Sequence, residues 1–323
     1  MTYSHRKRGR CALPRSQAYR SIAPIPNGEL RLTTIAVTGA TGKLGHTTLQ
    51  FLLARGLPPE TVRPIVRDLA KARDLVDSRF DVAYGNYTDA ALLEAAFSGI
   101  DKLLFISTSA LGEERMLHHR NVVNAAKGAG VKHIIYTSVV KPQAEAFFAA
   151  SPGHFDTEAL IRESGVPYTF FRNNLYLDIV PFLFSGALAT GILTHSGGAG
   201  RIGFVAREDI AEGLARVLTS DGHLNREYPI TVSRECYGLS EIAKELGDAA
   251  GRRITFNPVS PDEFKRSLEQ AGLPLPVVAM SVGLGDAIRA GEFDLSFPAL
   301  AELLGRAPIS LKDFLAKSLA VSP

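Results

Sequence analysis

Short runs rich in β-branched and aromatic residues alternate with amphipathic stretches between residue 33 and about residue 235. Seven of these runs read as strands: TIAVTG, RPIVR, DVAYG, KLLFIST, HIIYTS, YTFFRN and YPITV. Between the first two, Leu49, Leu52 and Leu53 recur at helical spacing, and Gly56 follows where a helix C-terminus favours glycine. This alternation predicts an α/β fold with a doubly wound parallel sheet. Because proline cannot donate to a strand ladder, we expect Pro64 at the first residue of its strand.

Helical signals dominate after residue 236, where the alternation stops. Ser260 and Glu263 form a capping-box pattern around Pro261, and Ser310 with Asp313 repeats this pattern near the C-terminus. The sequence therefore predicts a sheet domain (32–235) and a smaller, mostly helical domain (236–323), to which part of 175–200 contributes. Such a lobe beside the carboxyl ends of parallel strands is where a substrate pocket closes.

Composition and charge narrow the class of protein. The chain has 323 residues, 46% of them apolar and 21% charged, which is typical of a soluble globular protein. Residues 1–30 hold six Lys/Arg against one acid, so the rest carries a net charge of −2 although the whole carries +3. A mildly acidic folded part argues against nucleic-acid binding.

The basic extension, residues 1–31, has more than one interpretation. Its Arg- and Ser-containing, nearly acid-free composition is typical of a disordered tail or an over-long gene start, and also of an organelle transit peptide. Cys11 and Cys236 are the two cysteines, which excludes a disulfide framework or a cysteine-based metal site. The apolar run FLFSGALATGIL is shorter than the roughly 18 residues of a membrane span, so we expect a cytoplasmic protein with no membrane contact.

The stretch IAVTGATGKLG, from residue 35, carries the most informative motif. Its spacing is Gly39-x-x-Gly42-x-x-Gly45, between a strand and a helix. Such a turn directs backbone N–H groups and a helix dipole at one point, which is a site for a phosphate anion. We expect Gly39 to permit the tight turn, Gly42 to admit a diphosphate and Gly45 to allow close packing of helix on strand. A structural turn without a ligand is the alternative interpretation. The predicted cofactor contacts in this motif are Gly39, Thr41, Gly42, Lys43, Leu44 and Gly45.

The end of the second predicted strand indicates which dinucleotide binds. The run RPIVRDLAKAR places Arg67 at this end, where a 2′-phosphate requires a cation and NAD usually requires an acid. Asp68 follows directly, so NAD is not excluded, but NADP is favoured. Arg73, farther along, reads as part of a solvated helix face.

The motifs together resemble those of the NmrA-like atypical short-chain dehydrogenases, which include quinone oxidoreductases and triphenylmethane reductases. The resemblance runs from Ile35 to the C-terminus and rests on AVTGATGKLG, VRDLAKA, GNYTD, DKLLFISTS, HHRNVVNAAKGAGVKHIIYTS, HFDTEALIRESGVPYTFFRNNLY and VAREDIA. It implies a Rossmann-type NADP domain with a C-terminal substrate domain. It also implies hydride transfer from NADPH, without flavin or metal, to a quinone or similar planar electrophile, and a homodimer.

The same resemblance implies roles for residues at the strand ends. Asn86 and Tyr87 are expected near the adenine, and Ser107 and Thr108 near the nicotinamide ribose. Ser138, Asn173 and Asn174 are expected to line the nicotinamide side. Any of these residues has the alternative role of a strand-end cap.

The expected catalytic machinery departs from that of ordinary short-chain dehydrogenases. Their Tyr with a Lys four residues on occurs here solely as Tyr3 and Lys7, inside the extension, and no Lys follows the HFD motif. The candidate catalytic residues are instead His154, Ser138 and Tyr176. His154 has the alternative role of a helix-start residue bonded to backbone. Tyr176 and Phe182 are candidates for stacking on a flat ring, or for the core.

Two functions from different classes remain open. One is an NADPH-dependent quinone reductase, in which positioning supplies most of the rate. The other is an NADP-sensing regulator that binds the cofactor without turnover. A Gly-x-Ser-x-Gly elbow is missing, which disfavours acyl-transfer hydrolysis. His118 and His119 are adjacent, so they do not share the helix face that a two-histidine metal site needs.

Overall fold

A computed structural model of the chain describes residues 33–234 and 236–320. The basic extension, with Cys11, Tyr3 and Lys7, lies outside the described residues. The strands are β1 (Ile35–Val37), β2 (Val62–Val66), β3 (Ala83–Tyr84), β4 (Lys102–Phe105), β5 (His133–Val139), β6 (Tyr168–Asn173), β7 (Ile192–His195), β8 (Arg201–Ile202), β9 (Arg226–Ile230), β10 (Tyr237–Gly238) and β11 (Thr255–Pro258).

The helices follow in chain order. They are α1 (Lys43–Ala54), α2 (Arg73–Asp77), α3 (Ala90–Phe97), α4 (Gly112–Gly128), α5 (Ser151–Ser164), α6 (Val180–Leu183), α7 (Ser185–Thr190), α8 (Arg207–Thr219), α9 (Leu239–Ala249), α10 (Pro261–Gln270), α11 (Leu275–Arg289), α12 (Ala299–Leu304) and α13 (Leu311–Ala320). Short 3₁₀ turns cover Pro59–Thr61, Leu69–Ala72 and Leu177–Ile179.

Seven parallel strands form one sheet in the order β3-β2-β1-β4-β5-β6-β9. The seven strands predicted from the sequence are these seven, so the predicted fold class is confirmed. The strand order reverses between β1 and β4, and ligands of open parallel sheets bind beside the carboxyl ends of strands at such a point. The glycine turn follows β1 and therefore lies at this position.

The expected place of Pro64 is wrong, because it is the third residue of β2 and pairs with Val37 of β1. Val62 and Val66 accept hydrogen bonds from Asp81 and Gly85 on the β3 side, at 3.2 and 3.0 Å. Alternation along the strand turns the Pro64 nitrogen to the same side. Since β3 is a two-residue strand there, the missing N–H removes little from the ladder.

Alternate strand residues divide between two layers of helices. Ile35, Leu104 and Phe171 pack in a core with α1, α8 and α12, whereas Ala36 and Phe105 pack in another with α3, α4 and α5. Both faces of the sheet are therefore covered, as a parallel sheet requires. This arrangement leaves the carboxyl edge as the exposed place for a ligand.

A third buried cluster lies in the C-terminal part of the fold. It combines Val139 and Val140 with residues from 175–206 and with α9, α11 and α13. Two small sheets join the same regions, because β7 pairs with β11 and β8 with β10. The capping box predicted at Ser260 and Glu263 is confirmed. Residues 33–320 belong to one compact unit, so the domain boundary at residue 236 stays a prediction.

Among the described residues, no helix is long and apolar enough to cross a membrane.

Candidate functional site

The glycine turn has the geometry expected of it. Gly39 adopts a φ of 62°, which a residue with a side chain rarely adopts, and its carbonyl accepts the Gly42 N–H at 2.9 Å. A Cβ on Gly45 would lie 2.4 Å from the Gly39 oxygen and 2.9 Å from the Ala40 Cα. The start of α1 is therefore held directly against the turn, and the expected roles of Gly39 and Gly45 in the backbone are confirmed.

No described side chain caps the N-terminus of α1. The N-cap residue is Gly42, no acid stands in the first turn, and the first helical bond runs from the His46 N–H to the Gly42 oxygen at 2.9 Å. The amides of Lys43, Leu44 and Gly45 precede that bond and have no helical acceptor. An uncapped N-terminus at the strand-order switch is the arrangement that binds a phosphate.

A second helix begins in the same cleft but is capped. The Arg207 amide at the start of α8 donates to Asp178 Oδ2 at 2.9 Å, and its Nη1 donates to Oδ1 at 2.7 Å. The cleft, of about 750 Å³, extends from Thr41 and Lys43 along α1 to Arg207. Asp178 already neutralises the positive end of the α8 dipole. Within this cleft the α1 amides are therefore the site that is open to an anion.

Arg67 and Asp68 differ in their availability. Asp68 Oδ1 accepts the Ala70 N–H at 2.9 Å and so caps the 3₁₀ turn that follows β2. Arg67 is exposed, and no described residue forms a hydrogen bond or ion pair with its guanidinium. A free cation beside an engaged carboxylate favours a phosphate over a ribose hydroxyl at this strand end.

Tyr87 and Asn86 follow β3 and are engaged with protein groups. The Tyr87 hydroxyl lies 2.7 Å from the Ile106 oxygen and 2.6 Å from Thr38 Oγ1, and burial raises its pKa. Asn86 Oδ1 accepts the Thr88 N–H at 3.2 Å. The Tyr87 hydroxyl therefore ties this loop to the end of β4, and its part in adenine binding stays a prediction.

The segment after β4 is fixed by its backbone amides. The Ser107 N–H donates to Thr137 Oγ1 at 2.9 Å, and the Thr108 N–H donates to His119 Nε2 at 3.1 Å. His119 Nδ1 lies 2.7 Å from Thr157 Oγ1, so the hydrogen-bond pattern places the His119 proton on Nδ1. Burial lowers the pKa of His119 to about 3, which keeps Nε2 an acceptor for Thr108.

Asn173 and Tyr176 meet at the carboxyl end of β6. Asn173 Nδ2 donates to Tyr176 Oη at 3.2 Å, while Asn173 Oδ1 is buried without a partner among the described residues. Asn174 is engaged elsewhere, because its amide donates to Thr231 and Phe293 and its oxygen accepts the Leu175 N–H. The structure thus leaves a free acceptor on Asn173 and argues against a nicotinamide contact by Asn174.

Ser138 is buried and its hydroxyl is directed away from solvent. It donates to Glu158 Oε1 at 2.7 Å. The same carboxylate accepts two hydrogen bonds from Arg172, at 2.9 and 2.6 Å, and one from Arg162 at 3.0 Å. Ser138 is therefore part of a charged cluster that ties α5 to the sheet, and this position argues against the expected catalytic role.

His154 is buried as well, with both ring nitrogens engaged. Arg115 Nη1 lies 3.1 Å from Nε2, and Tyr136 Oη lies 2.7 Å from Nδ1. Because a guanidinium can only donate, Nε2 is the acceptor and Nδ1 carries the proton. Burial and the Arg115 charge hold the pKa of His154 well below its usual range. The imidazole is neutral and enclosed, which argues against its expected role as a proton donor to substrate.

Phe182 lies apart from these residues and is exposed on α6.

Several residues of this site were not predicted from the sequence. They are Arg207 with Asp178 at the cleft, and Arg115, His119, Tyr136 and Thr157 behind the segment after β4. Polar residues at helical spacing in α4 and α5 are a signal, but their partners lie on other elements. No group of three or more His, Cys, Asp or Glu placed to hold a metal ion occurs in the described part of the chain.

A family model described as the NmrA-like family matches residues 32–289. The chain belongs to the NmrA-like family. Quinone oxidoreductase 2 of Escherichia coli (strain K12) is 35% identical over 283 residues, which cover 86% of this chain and 96% of that protein. The resemblance noted in the sequence motifs is therefore confirmed.

Two solved structures in complex with cofactor are similar to this NmrA-like chain. Citrobacter sp. triphenylmethane reductase complexed with NADP(H) has a TM-score of 0.82 at 35% identity, over 88% of this chain and 100% of that one. The NADPH-dependent quinone oxidoreductase of Escherichia coli complexed with NADPH has a TM-score of 0.82 at 33% identity, over 89% and 99%. The Rossmann-type fold is confirmed, and these relatives are oxidoreductases.

The environment of His154 and His119 leads to a prediction about their protonation. Neither imidazole should gain a proton between pH 8 and pH 5, because burial lowers both pKa values and each Nε2 accepts a hydrogen bond. ¹⁵N–¹H correlation spectra of the histidine side chains should show two neutral Nδ1–H tautomers with constant shifts. His154→Gln and His119→Gln variants assign the signals. A titration midpoint for His154 inside this range would restore it as a candidate proton donor.

Proposed function

We propose that this protein is an NADPH-dependent oxidoreductase that reduces a quinone or a similar flat, conjugated acceptor. The observation that carries the proposal is the N-terminus of α1 at the strand-order switch, which no described side chain caps, together with Arg67 at the end of the next strand, which no described residue pairs. The names of its relatives, quinone oxidoreductase and triphenylmethane reductase, support this class of acceptor.

The residues present fit NADPH. The amides of Lys43, Leu44 and Gly45 would bind the diphosphate, with Thr41 and Gly42 in the turn before them. Arg67 would bind the 2′-phosphate by its fork of donors. The buried Asn173 Oδ1, which has no partner among the described residues, would accept a hydrogen bond from the nicotinamide carboxamide. When bound, NADPH supplies two electrons and one proton as a hydride.

The overall reaction consumes one further proton, since a quinone, NADPH and H⁺ give a hydroquinone and NADP⁺. Tyr176 is the candidate donor of a hydrogen bond to the reduced oxygen. Its Oη accepts from Asn173, so its own proton is available, and burial raises its pKa to about 12. A neutral phenol at this place stabilises developing negative charge, while solvent delivers the proton.

The proposal includes neither flavin nor metal. A quinone is already electrophilic, so holding its ring against the hydride donor supplies much of the rate. The absence of a Tyr-Lys pair in the described residues is consistent with such an acceptor and disfavours ordinary alcohol chemistry.

Turnover is tested directly with NADPH and a panel of quinones. The purified protein is first checked for flavin by its visible absorbance. We expect the absorbance of reduced nicotinamide to fall only when both protein and quinone are present, with NADPH preferred over NADH. Tight NADPH binding without oxidation by any quinone would contradict a reductase and would favour a regulator that senses NADP.

The cofactor preference is tested by Arg67→Ala. Loss of a charge-assisted contact to the 2′-phosphate should weaken NADP⁺ binding about 10- to 100-fold and change NAD⁺ binding by less than about 3-fold. Arg73→Ala, which removes an exposed cation one turn beyond, is the matched control and should leave both affinities unchanged. Isothermal titration measures the dissociation constants. Equal losses for NADP⁺ and NAD⁺, or no loss, would refute this assignment.

A further inference from the structure

An apolar pocket of about 510 Å³ opens in the C-terminal part of the fold, apart from the cleft at α1. Its walls come from α6, α7, β7, α10 and α11. Among the described residues, no Asp, Glu, Lys or Arg lines it. The volume is that of a small-molecule site, and the lining favours an uncharged, apolar ligand.

Among the described residues that line this pocket, His195 is the one titratable side chain, beside five Ser and Thr residues. His195 is only 6% exposed, and its ring packs 4.8 Å from that of Phe264, another residue of the wall. Its Nδ1 accepts the Gly197 N–H at 3.0 Å, so the proton of the neutral ring lies on Nε2. Burial lowers the pKa of His195 to about 4, which keeps the ring neutral at physiological pH. No described residue accepts from Nε2, and this atom is not among the fully buried polar atoms, so its N–H is open to a ligand in the pocket.

The rim supplies a flat apolar surface. Phe182 is 74% exposed and Met280 57% exposed, and both lie at the pocket. Exposed aromatic and thioether side chains at a pocket mouth favour contact with a flat ring. Phe182 is thus exposed at the pocket mouth and is not a core residue, and its stacking on a flat ring stays a prediction.

Part of the pocket wall shares a buried cluster with residues at the carboxyl edge of the sheet. Phe184, Leu193 and Leu284 of its wall belong to the same buried cluster as Val139 at the end of β5 and Leu175 just after β6. Asn173 and Tyr176 lie beside Leu175 in the chain. The pocket is thus built on the segments that leave the proposed nicotinamide site.

We propose that this pocket receives the flat, uncharged acceptor and that the Nε2–H of His195 donates a hydrogen bond to one of its carbonyl oxygens. The ligand class rests on the proposed function. The geometry does not, because an apolar pocket whose wall carries an N–H with no acceptor among the described residues favours a ligand that brings an acceptor atom.

Binding is tested without NADPH, so that no reduction occurs. Equilibrium dialysis compares naphthoquinone with naphthalene, which has the same rings and no oxygen. His195→Asn keeps an oxygen for the Gly197 N–H but loses the donor to the pocket. This variant should weaken the binding of naphthoquinone about 3- to 10-fold and the binding of naphthalene by less than about 2-fold. His195→Gln, whose longer side chain carries an N–H near the place of Nε2, should recover part of the loss.

A second variant fills the pocket. Ser281→Phe, in the pocket wall, should weaken the binding of both probes by more than about 10-fold. Ser240→Phe, on the exposed surface of α9, should leave the binding of both probes unchanged. Equal effects of His195→Asn on the two probes, or unchanged binding in Ser281→Phe, overturn the proposal. Unchanged binding is also the result if a second copy of the chain covers this pocket.

The two proposals fail separately. If the protein oxidises NADPH with quinones while these variants bind naphthoquinone as the wild type does, the pocket assignment is wrong and the proposed reductase activity is supported. If naphthoquinone binds in this pocket but no quinone oxidises NADPH, the pocket assignment is supported and the proposed reductase activity is wrong.

Discussion

The contact between Gly45 and the backbone of Gly39 and Ala40 is the constraint on which the rest of the site depends. It holds the first turn of α1 against the end of β1, with no room for a side chain between them. The amides of that turn consequently lie together at the strand-order switch, and no side chain in the described part of the chain caps them. Unpaired donors at a helix N-terminus attract an anion through both hydrogen bonds and the helix dipole. The start of α8 in the same cleft is capped by Asp178, so of these two helices it is α1 whose N-terminal amides are open to an anion.

Buried polar groups behind the sheet keep this edge in place. The chain of contacts from the Thr108 amide through His119 to Thr157 anchors the segment after β4 on α4 and α5. Tyr136, His154 and Arg115 form a neighbouring set in the same layer. Fully satisfied networks of this kind make an arrangement rigid, whereas a half-satisfied network is costly. Asn173 Oδ1, which is buried at the carboxyl end of β6 without a partner among the described residues, is therefore an informative exception at this edge.

The sequence predicted the parts of the structure that local backbone chemistry decides. Glycine spacing, strand patterning and the capping box at Ser260 all depend on residues close together in the chain. Side-chain direction at strand ends was harder to predict, because it depends on partners from distant elements. Ser138 turns to Glu158 on α5, and Asn174 turns to Thr231 and Phe293. His154 has the near-neutral chemistry of a proton donor, but Arg115, 39 positions away, makes it an enclosed acceptor.

The central claim is that the uncapped turn of α1 binds the diphosphate of NADP, and Gly45→Ala tests it most directly. A Cβ there collides with backbone, so the turn must open, whereas Gly186→Ala places its Cβ in open space. Isothermal titration with NADP⁺ is run on variants whose melting temperatures show that they are folded. The account predicts that Gly186→Ala binds as the wild type does and that Gly45→Ala loses at least about 10-fold in affinity. Wild-type affinity in a folded Gly45→Ala protein would contradict it.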